Sequence, residues 1–434
     1  MGPVDVALIL FGVFATLIIL RVPVAFALGL ACVPVFFIDD RLTPFLLLNE
    51  MLKSYNSFLL LAIPFFMLAA NLMNTAGITE KLIKLSRALV GHLPGGLGHV
   101  SVLVSMLFAG ISGSSTAEAA GVGGVLIPAM KKQGYDTEFT VALVACAAVM
   151  GVIIPPSILM VVWGGVISVS IGGLFLAGVV PGVLMGLSLM VAVYVYAKRR
   201  NYPVYPRSTL KEFVSACGQA ILPILTPGII VGGIVFGFFT PTEASVIAVL
   251  YAMLLGGLIY RALPARVLLH TLYDSARFAA IALFCIGTAS AFGWILAYFH
   301  IPQLVVNTVA AWGGGLTSVG FITAAAFLFI GCFIDAIPAI IIVGTILSPL
   351  AEKVHMHPIH FAIIGVISIA YGLVTPPYGL CLMIACSIGG IKIKQAVRDT
   401  AILFIPMLLV LLIVILFPQL ILWLPRLLMP QYVK

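Results

Sequence analysis

The stretch Gly151–Ser157, GVIIPPS, lies in an apolar run with no charged residue between Glu138 and Lys198. Pro155 and Pro156 remove two backbone donors, and their rings crowd the preceding turn, so a helix breaks there. In hydrocarbon a freed carbonyl has no water to turn to. A break at that depth therefore needs some other partner for its oxygens.

The surrounding chain is membrane-like. It is 434 residues long, 62% hydrophobic and 8% charged, with mean hydropathy +1.24. A water-soluble fold of this length cannot hide that much apolar surface, and the class is all-α polytopic membrane protein. The apolar runs are about 20 residues long, not the ten-residue alternating segments of an outer-membrane barrel. The net charge of +8 comes from Lys and Arg scattered in short loops, which suits anchoring rather than nucleic-acid binding. No basic n-region or cleavage site opens the chain, so the first span is expected to be retained. The seven cysteines sit in apolar surroundings without metal-ligand spacing and are expected to pack as small hydrophobes.

Apolar segments run over 4–20, 23–38, 55–74, 98–130, 139–169, 171–197, 220–239, 242–260, 276–299, 316–350, 359–390 and 400–425. Amphipathic stretches near 77–90, 208–219 and 264–275 predict interfacial helices. Two segments are too long for one span. Residues 98–130 carry GISGSSTAE at their centre, and residues 316–350 carry FIDAIP. A polar, Gly- or Pro-containing interruption halfway along predicts a re-entrant hairpin, tolerated at depth only where it is buried in protein or lines a cavity.

These features repeat. A shift of 221 residues places Gly110 on Gly331, Gly123 on Gly344, Pro128 on Pro349, Gly151 on Gly372, Pro155 on Pro376 and Pro156 on Pro377. The windows 110–156 and 331–377 hold ten and nine Gly or Pro, for which chance gives roughly two coincidences. GVIIPPS thus has a partner, GLVTPPY at Gly372–Tyr378. If the first hairpin opens to the cytoplasm, 17 of the 22 Lys and Arg fall on the cytoplasmic side. Arg41, Lys53, Lys353, Arg426 and Lys434 fall on the other. The second hairpin then opens outward beside an uncharged 301–315 loop, and the halves are inverted. Inverted repeats with discontinuous helices mark secondary transporters, with sites near the midplane.

Unwound backbone exposes carbonyl oxygens, hard ligands for hard cations such as Na⁺. Helix N-termini offer free N–H groups to an anion. Gly151–Ser157 facing the Ser112–Thr116 tip is expected to form one cation site, and Gly372–Tyr378 facing Gly331–Pro338 its twin. A carboxylate would fit between the tips. Ser112, Ser114, Ser115 and Thr116 are more than a cap needs, so ligand contact by at least one is expected. Asp335, opposite Ser114 in the repeat, reads equally as an N-cap and as a contact to substrate or cation. Ser115-Thr-Ala-Glu118 reads as a capping box, with a proton or ion role for Glu118 the other reading. Thr240-Pro-Thr-Glu243 reads as a second box with Pro241 at the first helical position. His92, His99, His270, His300, His355, His357 and His360 are expected at solvated span ends. Trp163, Trp294, Trp312 and Trp423 fit interfacial or packing roles. Gly228-x-x-x-Gly232 and Gly233-x-x-x-Gly237 suggest close helix contact. There is no P-loop motif, so energy is expected from an ion gradient or a separate subunit. No nucleophile/base pair or metal triad is evident, and no enzyme activity is expected.

GISGSSTAEAAGVGGVLIPAM, GVIIPPS, FFTPTEASV, FIDAIPAIII, GLVTPPYG and the N-terminal RVPVAFALGLA resemble the large membrane (M) subunit of TRAP transporters, the tripartite ATP-independent periplasmic transporters of the ion transporter superfamily. The resemblance spans nearly the whole chain. It implies an inverted-repeat, elevator-type fold with two re-entrant hairpins and two discontinuous helices. N-terminal scaffold helices would occupy 1–97, and the first hairpin and broken helix 98–169. Connecting and scaffold helices would occupy 170–315, the second hairpin and broken helix 316–390, and C-terminal helices 391–434. It implies Na⁺-driven uptake of an organic acid, of the sialic acid or C4-dicarboxylate type, across the bacterial inner membrane. A small membrane subunit (Q) would pair with the chain and a periplasmic binding protein (P) would deliver substrate. Carried onto this sequence, one sodium site uses Ser112, Ser115, Gly151, Ile154 and Pro156. The other uses Phe333, Ala336, Gly372, Thr375 and Pro377. Substrate contact falls to Ser114, Thr116 and Asp335. The chain lacks the small subunit's helices and is not expected to be the fused form. The alternative is a standalone sodium/dicarboxylate symporter of the same superfamily.

Overall fold

The computed structural model describes residues 2–39, 41–310 and 314–432. Trp312 and Lys434 lie outside the described residues. Among them the structure is helical throughout, without strands. Among the described residues, seven helices are long and apolar enough to cross a membrane.

The first half contains α1 (Pro3–Ile19), α2 (Val24–Ala31), α3 (Pro44–Tyr55), α4 (Ala62–Thr75) and α5 (Ile78–Val90). Then come α6 (Gly96–Ser112), α7 (Ser115–Lys132), α8 (Thr137–Ala148), α9 (Ile158–Ile167) and α10 (Ile171–Arg200). The second half contains α11 (Leu210–Val235), α12 (Pro241–Met253), α13 (Ala265–Tyr298), α14 (Ile301–Ala310) and α15 (Leu316–Gly331). It ends with α16 (Ala336–Lys353), α17 (Pro358–Gly372), α18 (Leu380–Gly389), α19 (Ile393–Leu416) and α20 (Pro418–Leu428). Shifted by 221, the bounds of α7 coincide with those of α16, and α6, α8 and α9 fall on α15, α17 and α18. The 221-residue register is thus a register of helices as well as of glycines and prolines.

Several expectations are corrected. The amphipathic 208–219 and 264–275 stretches are not separate interfacial helices; they are the opening turns of α11 and α13. α11 runs through despite Pro223 and Pro227, and α13 has no proline inside it. The same 221 shift carries α3 and α4 onto α13, yet the first copy is split by a 3-10 turn at Phe58–Leu61. Pro64 supplies the cause: in a continuous helix its ring would strike the carbonyl four residues back. The uncharged 301–315 loop contains α14, the repeat counterpart of α5, and α3 was not expected at all. His99 and His360 are buried rather than solvated, held by the carbonyls of Pro94 and Val414. The seven cysteines are unbonded thiols, six of them buried.

Two hairpin units interlock. α6 and α7 form one helical hairpin, with α8 against both; α15 and α16 form the other, with α17 against both. Beyond each break the chain crosses to the other unit: α9 packs on α16, and α18 packs on α7 and α8. Trp163 of α9 is fully buried against Phe327 and Phe361, ring centroids 5.3 and 5.4 Å away. At the predicted cytoplasmic end, Arg200 of α10 bridges Asp136, which precedes α8, and Asp399 of α19. Tyr202 donates to Asp136 and Tyr196 to Asp399.

Candidate functional site

At the first hairpin tip the turn between α6 and α7 is Gly113, in the left-handed region at φ 61°. A side chain there would stand 2.8 Å from the Pro156 carbonyl, so only glycine lets the tip approach the break. The Ile158 N–H donates to the Gly113 carbonyl at 3.2 Å, tying tip to break. Ser112 ends α6 and Ser115 begins α7, both buried. The structure therefore brings Ser112 and Ser115 against the Gly151–Pro156 segment. Within it, Gly151, Pro155 and Pro156 are buried and Ile154 is half-buried, packed on Gly182. α8 ends in a 3-10 turn at Val149–Val152, and the Pro155–Pro156 bond is cis. Ser157 restarts the chain as the N-cap of α9: its Oγ accepts from Met160 N–H and donates to the Val152 carbonyl at 2.6 Å.

At the second tip Asp335 caps α16, accepting from the Ala336 N–H at 2.8 Å. The Tyr378 N–H donates to the Cys332 carbonyl at 3.0 Å, tying this tip to its break one to two residues away from the register position of the first tie. Gly372 lies directly on Gly331; an added Cβ would sit 2.5 Å from the Gly331 carbonyl carbon. The Thr375 hydroxyl donates to Tyr371 O at 2.9 Å. Pro376–Pro377 is cis, like its counterpart. Pro377 and Phe333 are exposed, the latter's ring tilted against Phe329. Ala336 is buried.

Ser114 and Thr116 meet through their hydroxyls at 3.1 Å. Asp335 makes its hydrogen bond within its own tip, to Ala336. The geometry thus joins Asp335 to its helix as a cap, in a half-buried position.

The capping box predicted at Ser115 and Glu118 is not formed. The N-cap is Ser114, whose Oγ accepts from Ala117 N–H, so Glu118 stands one position too deep in α7 to reach back. Glu118 is fully buried and neither carboxylate oxygen has a hydrogen-bond partner. The Thr240–Glu243 box does form, with both reciprocal bonds present. Sequence reasoning also left two residues unassigned. Ser157 was legible as a cap from its place after the proline pair. Cys381, which faces Ser115 from α18, carries no sequence signal, because the contact depends on the exchange of helices between units.

The chain matches the family model described as Tripartite ATP-independent periplasmic transporter, DctM component, over residues 11–420. It is 39% identical over 432 residues to the uncharacterized protein YgiK of Salmonella typhimurium, covering 98% of each chain. The sialic acid TRAP transporter large permease protein SiaM of Vibrio cholerae is 36% identical over 379 residues, 87% of this chain and 89% of that one. The C4-dicarboxylate TRAP transporter large permease protein DctM of Pseudomonas aeruginosa is 36% identical over 366 residues, 84% of this chain and 86% of that one. Among solved structures, the Alcanivorax borkumensis YdaH transporter superposes with a TM-score of 0.55 at 14% identity, covering 82% of this chain and 85% of that chain. That last likeness is one of fold alone.

Proposed function

Because the chain belongs to the family of TRAP transporter DctM components, the large membrane subunits, we propose that it imports an organic acid by sodium symport. The observation that carries this reading is the pair of unwound segments, each held against a hairpin tip by one backbone hydrogen bond. Unwound carbonyls at a tip are ligands suited to Na⁺. One site draws on Ser112, Ser115, Gly151, Ile154 and Pro156, the other on Phe333, Ala336, Gly372, Thr375 and Pro377. Ser114, Thr116 and Asp335 contact the substrate.

The substrate class follows from the relatives. One carries the name of a sialic acid transporter and another of a C4-dicarboxylate transporter, and an organic acid of either type fits a site between helix N-termini. The hairpins are re-entrant, and the units built on α6–α9 and α15–α18 move together as the transport domain of an elevator. Their exchange of α9 and α18 supports a single moving block. A small membrane subunit and a periplasmic binding protein complete the transporter in the bacterial inner membrane.

The test is uptake by proteoliposomes holding this chain and its small subunit, with the binding protein outside. Uptake that requires both an inward sodium gradient and the binding protein is the expected result. Uptake by this chain alone would favour a standalone symporter, and uptake indifferent to sodium would remove the coupling.

A further inference from the structure

Glu118 is the one acidic side chain in the first hairpin, and its surroundings are unusual. It is 0% exposed, and both carboxylate oxygens lack a partner. Ser105 of α6 faces it without forming a well-aligned hydrogen bond, and the Ser105 Oγ is itself buried without another partner. On the other side Oε2 lies against Gly151. An added Cβ there would be 2.5 Å from Oε2 and 3.0 Å from the Ser114 carbonyl. Among the described residues no Lys, Arg or His comes within ion-pair distance of Glu118.

The cost of this arrangement is large. A buried carboxylate without partners is among the most expensive groups a membrane protein can hold, and such groups mark functional sites. A structural role does not account for it, since the cap belongs to Ser114. The repeat sharpens the point. In the 221-residue register Glu118 corresponds to Ala339 and Ser105 to Ala326. Both polar groups are present in one half and both are alanine in the other, so the hairpin architecture does not need them. They occur as a pair.

We propose that Glu118 and Ser105, with the Ser114 carbonyl, form a further Na⁺ site in the first unit, adjoining the first tip site on the far side of Gly151 from the break. The donor set is all oxygen with one formal negative charge, which suits a hard monovalent cation. The cation would supply the missing partner for both carboxylate oxygens and for the Ser105 hydroxyl. Gly151 is then glycine for a second reason: it keeps room beside Oε2. The proposal rests on the sodium reading above and adds one ion to it in the first unit only.

The experiment is equilibrium binding of ²²Na⁺ to the purified full chain at pH 8, counted per chain at saturation. Glu118→Gln keeps the shape and removes the charge; it is expected to bind one Na⁺ fewer than wild type while remaining folded by size exclusion. Ser105→Ala, a smaller change, is expected to raise the half-saturating Na⁺ concentration of one site roughly tenfold, the value of a hydrogen-bonding or ligand oxygen facing a charge. Should Glu118→Gln not fold, Ser105→Ala decides the matter. Equal counts in wild type and Glu118→Gln, or an unchanged Ser105→Ala isotherm, would overturn the additional site and leave the tip sites standing. No bound Na⁺ in wild type would overturn both.

Discussion

The two hairpin units share a backbone and differ in what fills it. In the first, the break is buried, Ser157 caps the helix that follows, and a carboxylate is wedged beside Gly151. In the second, Gly372 closes directly on Gly331, the helix after the break begins at Gly379 with no side-chain cap, and Pro377 and Phe333 reach the surface. The acidic residue has moved as well: Asp335 sits at the second tip where the first has Ser114, and Ala339 lies where the first has Glu118. A duplicated break therefore fixes where backbone oxygens are freed, and side chains divide the work. The first unit holds a buried carboxylate beside its break; the second carries a half-buried one as the cap of its tip.

The largest expected effect lies where backbone meets backbone. Gly372→Ala pushes a methyl into the Gly331 main chain, which cannot rotate away, and should cost about 3 kcal/mol, the upper end for overpacking. Gly151→Ala meets the Glu118 carboxylate first and the Ser114 main chain only at 3.0 Å, and should cost less, about 2 kcal/mol. Thermal or denaturant unfolding in detergent measures both, and equal costs would erase the distinction between the units. Next is Asp335→Asn. Asparagine caps as well as aspartate, so stability should hold while uptake falls at least about tenfold through loss of the charge. Normal uptake would reduce Asp335 to a cap.

Ser115→Ala should raise the sodium concentration for half-maximal uptake several-fold, within the roughly tenfold that one oxygen ligand supplies. Unchanged sodium activation would remove Ser115 from the first site. Ser157→Ala should cost about 1 kcal/mol, the usual value of an N-cap. Its register partner Tyr378 caps nothing, so Tyr378→Ala should leave the start of α18 unaltered in hydrogen exchange.

Much of this was readable before any coordinates. The proline pairs, Gly110 and Gly331, and the polar tips located both breaks and both hairpins, because glycine and proline act locally and their positions repeat. Residues 301–310 read as part of an uncharged loop, although the same register, applied to α5, points to the helix found there. The fate of Glu118 was not legible. Whether a glutamate caps a helix turns on a single residue of N-cap position, and Ser114 and Ser115 are equally good candidates by type. Cys381 beside Ser115 depends on α18 crossing to the other unit, a tertiary event with no local signature. The continuity of α13 against the split α3 and α4 was hidden for a different reason: Pro64 has the non-proline Cys285 as its register partner, and the expectation was drawn from amphipathicity rather than from the helix breaker.

The smallest expected effect tests the frame around the units. Asp136 is held below the usual carboxylate range, first by the Tyr202 hydroxyl and then by Arg200. A lowered folded value contributes stability that is present above the unfolded value near 4 and is lost as pH falls through the folded one. The melting-temperature gap between wild type and Asp136→Asn should therefore shrink as pH drops from 6 to about 3. A gap that stays constant would mean that the network does not join α8 to α10 and α19.

The central claim is that unwound backbone at the two tips binds sodium. Its most direct test is a pair of cryo-EM maps of the chain with its small subunit, one in sodium and one in choline. The account predicts density between the Ser112–Ser115 tip and residues 151–156, and between Phe333–Ala336 and residues 372–377, in sodium alone. Maps that are empty at both breaks in saturating sodium, or identical in the two salts, would contradict it.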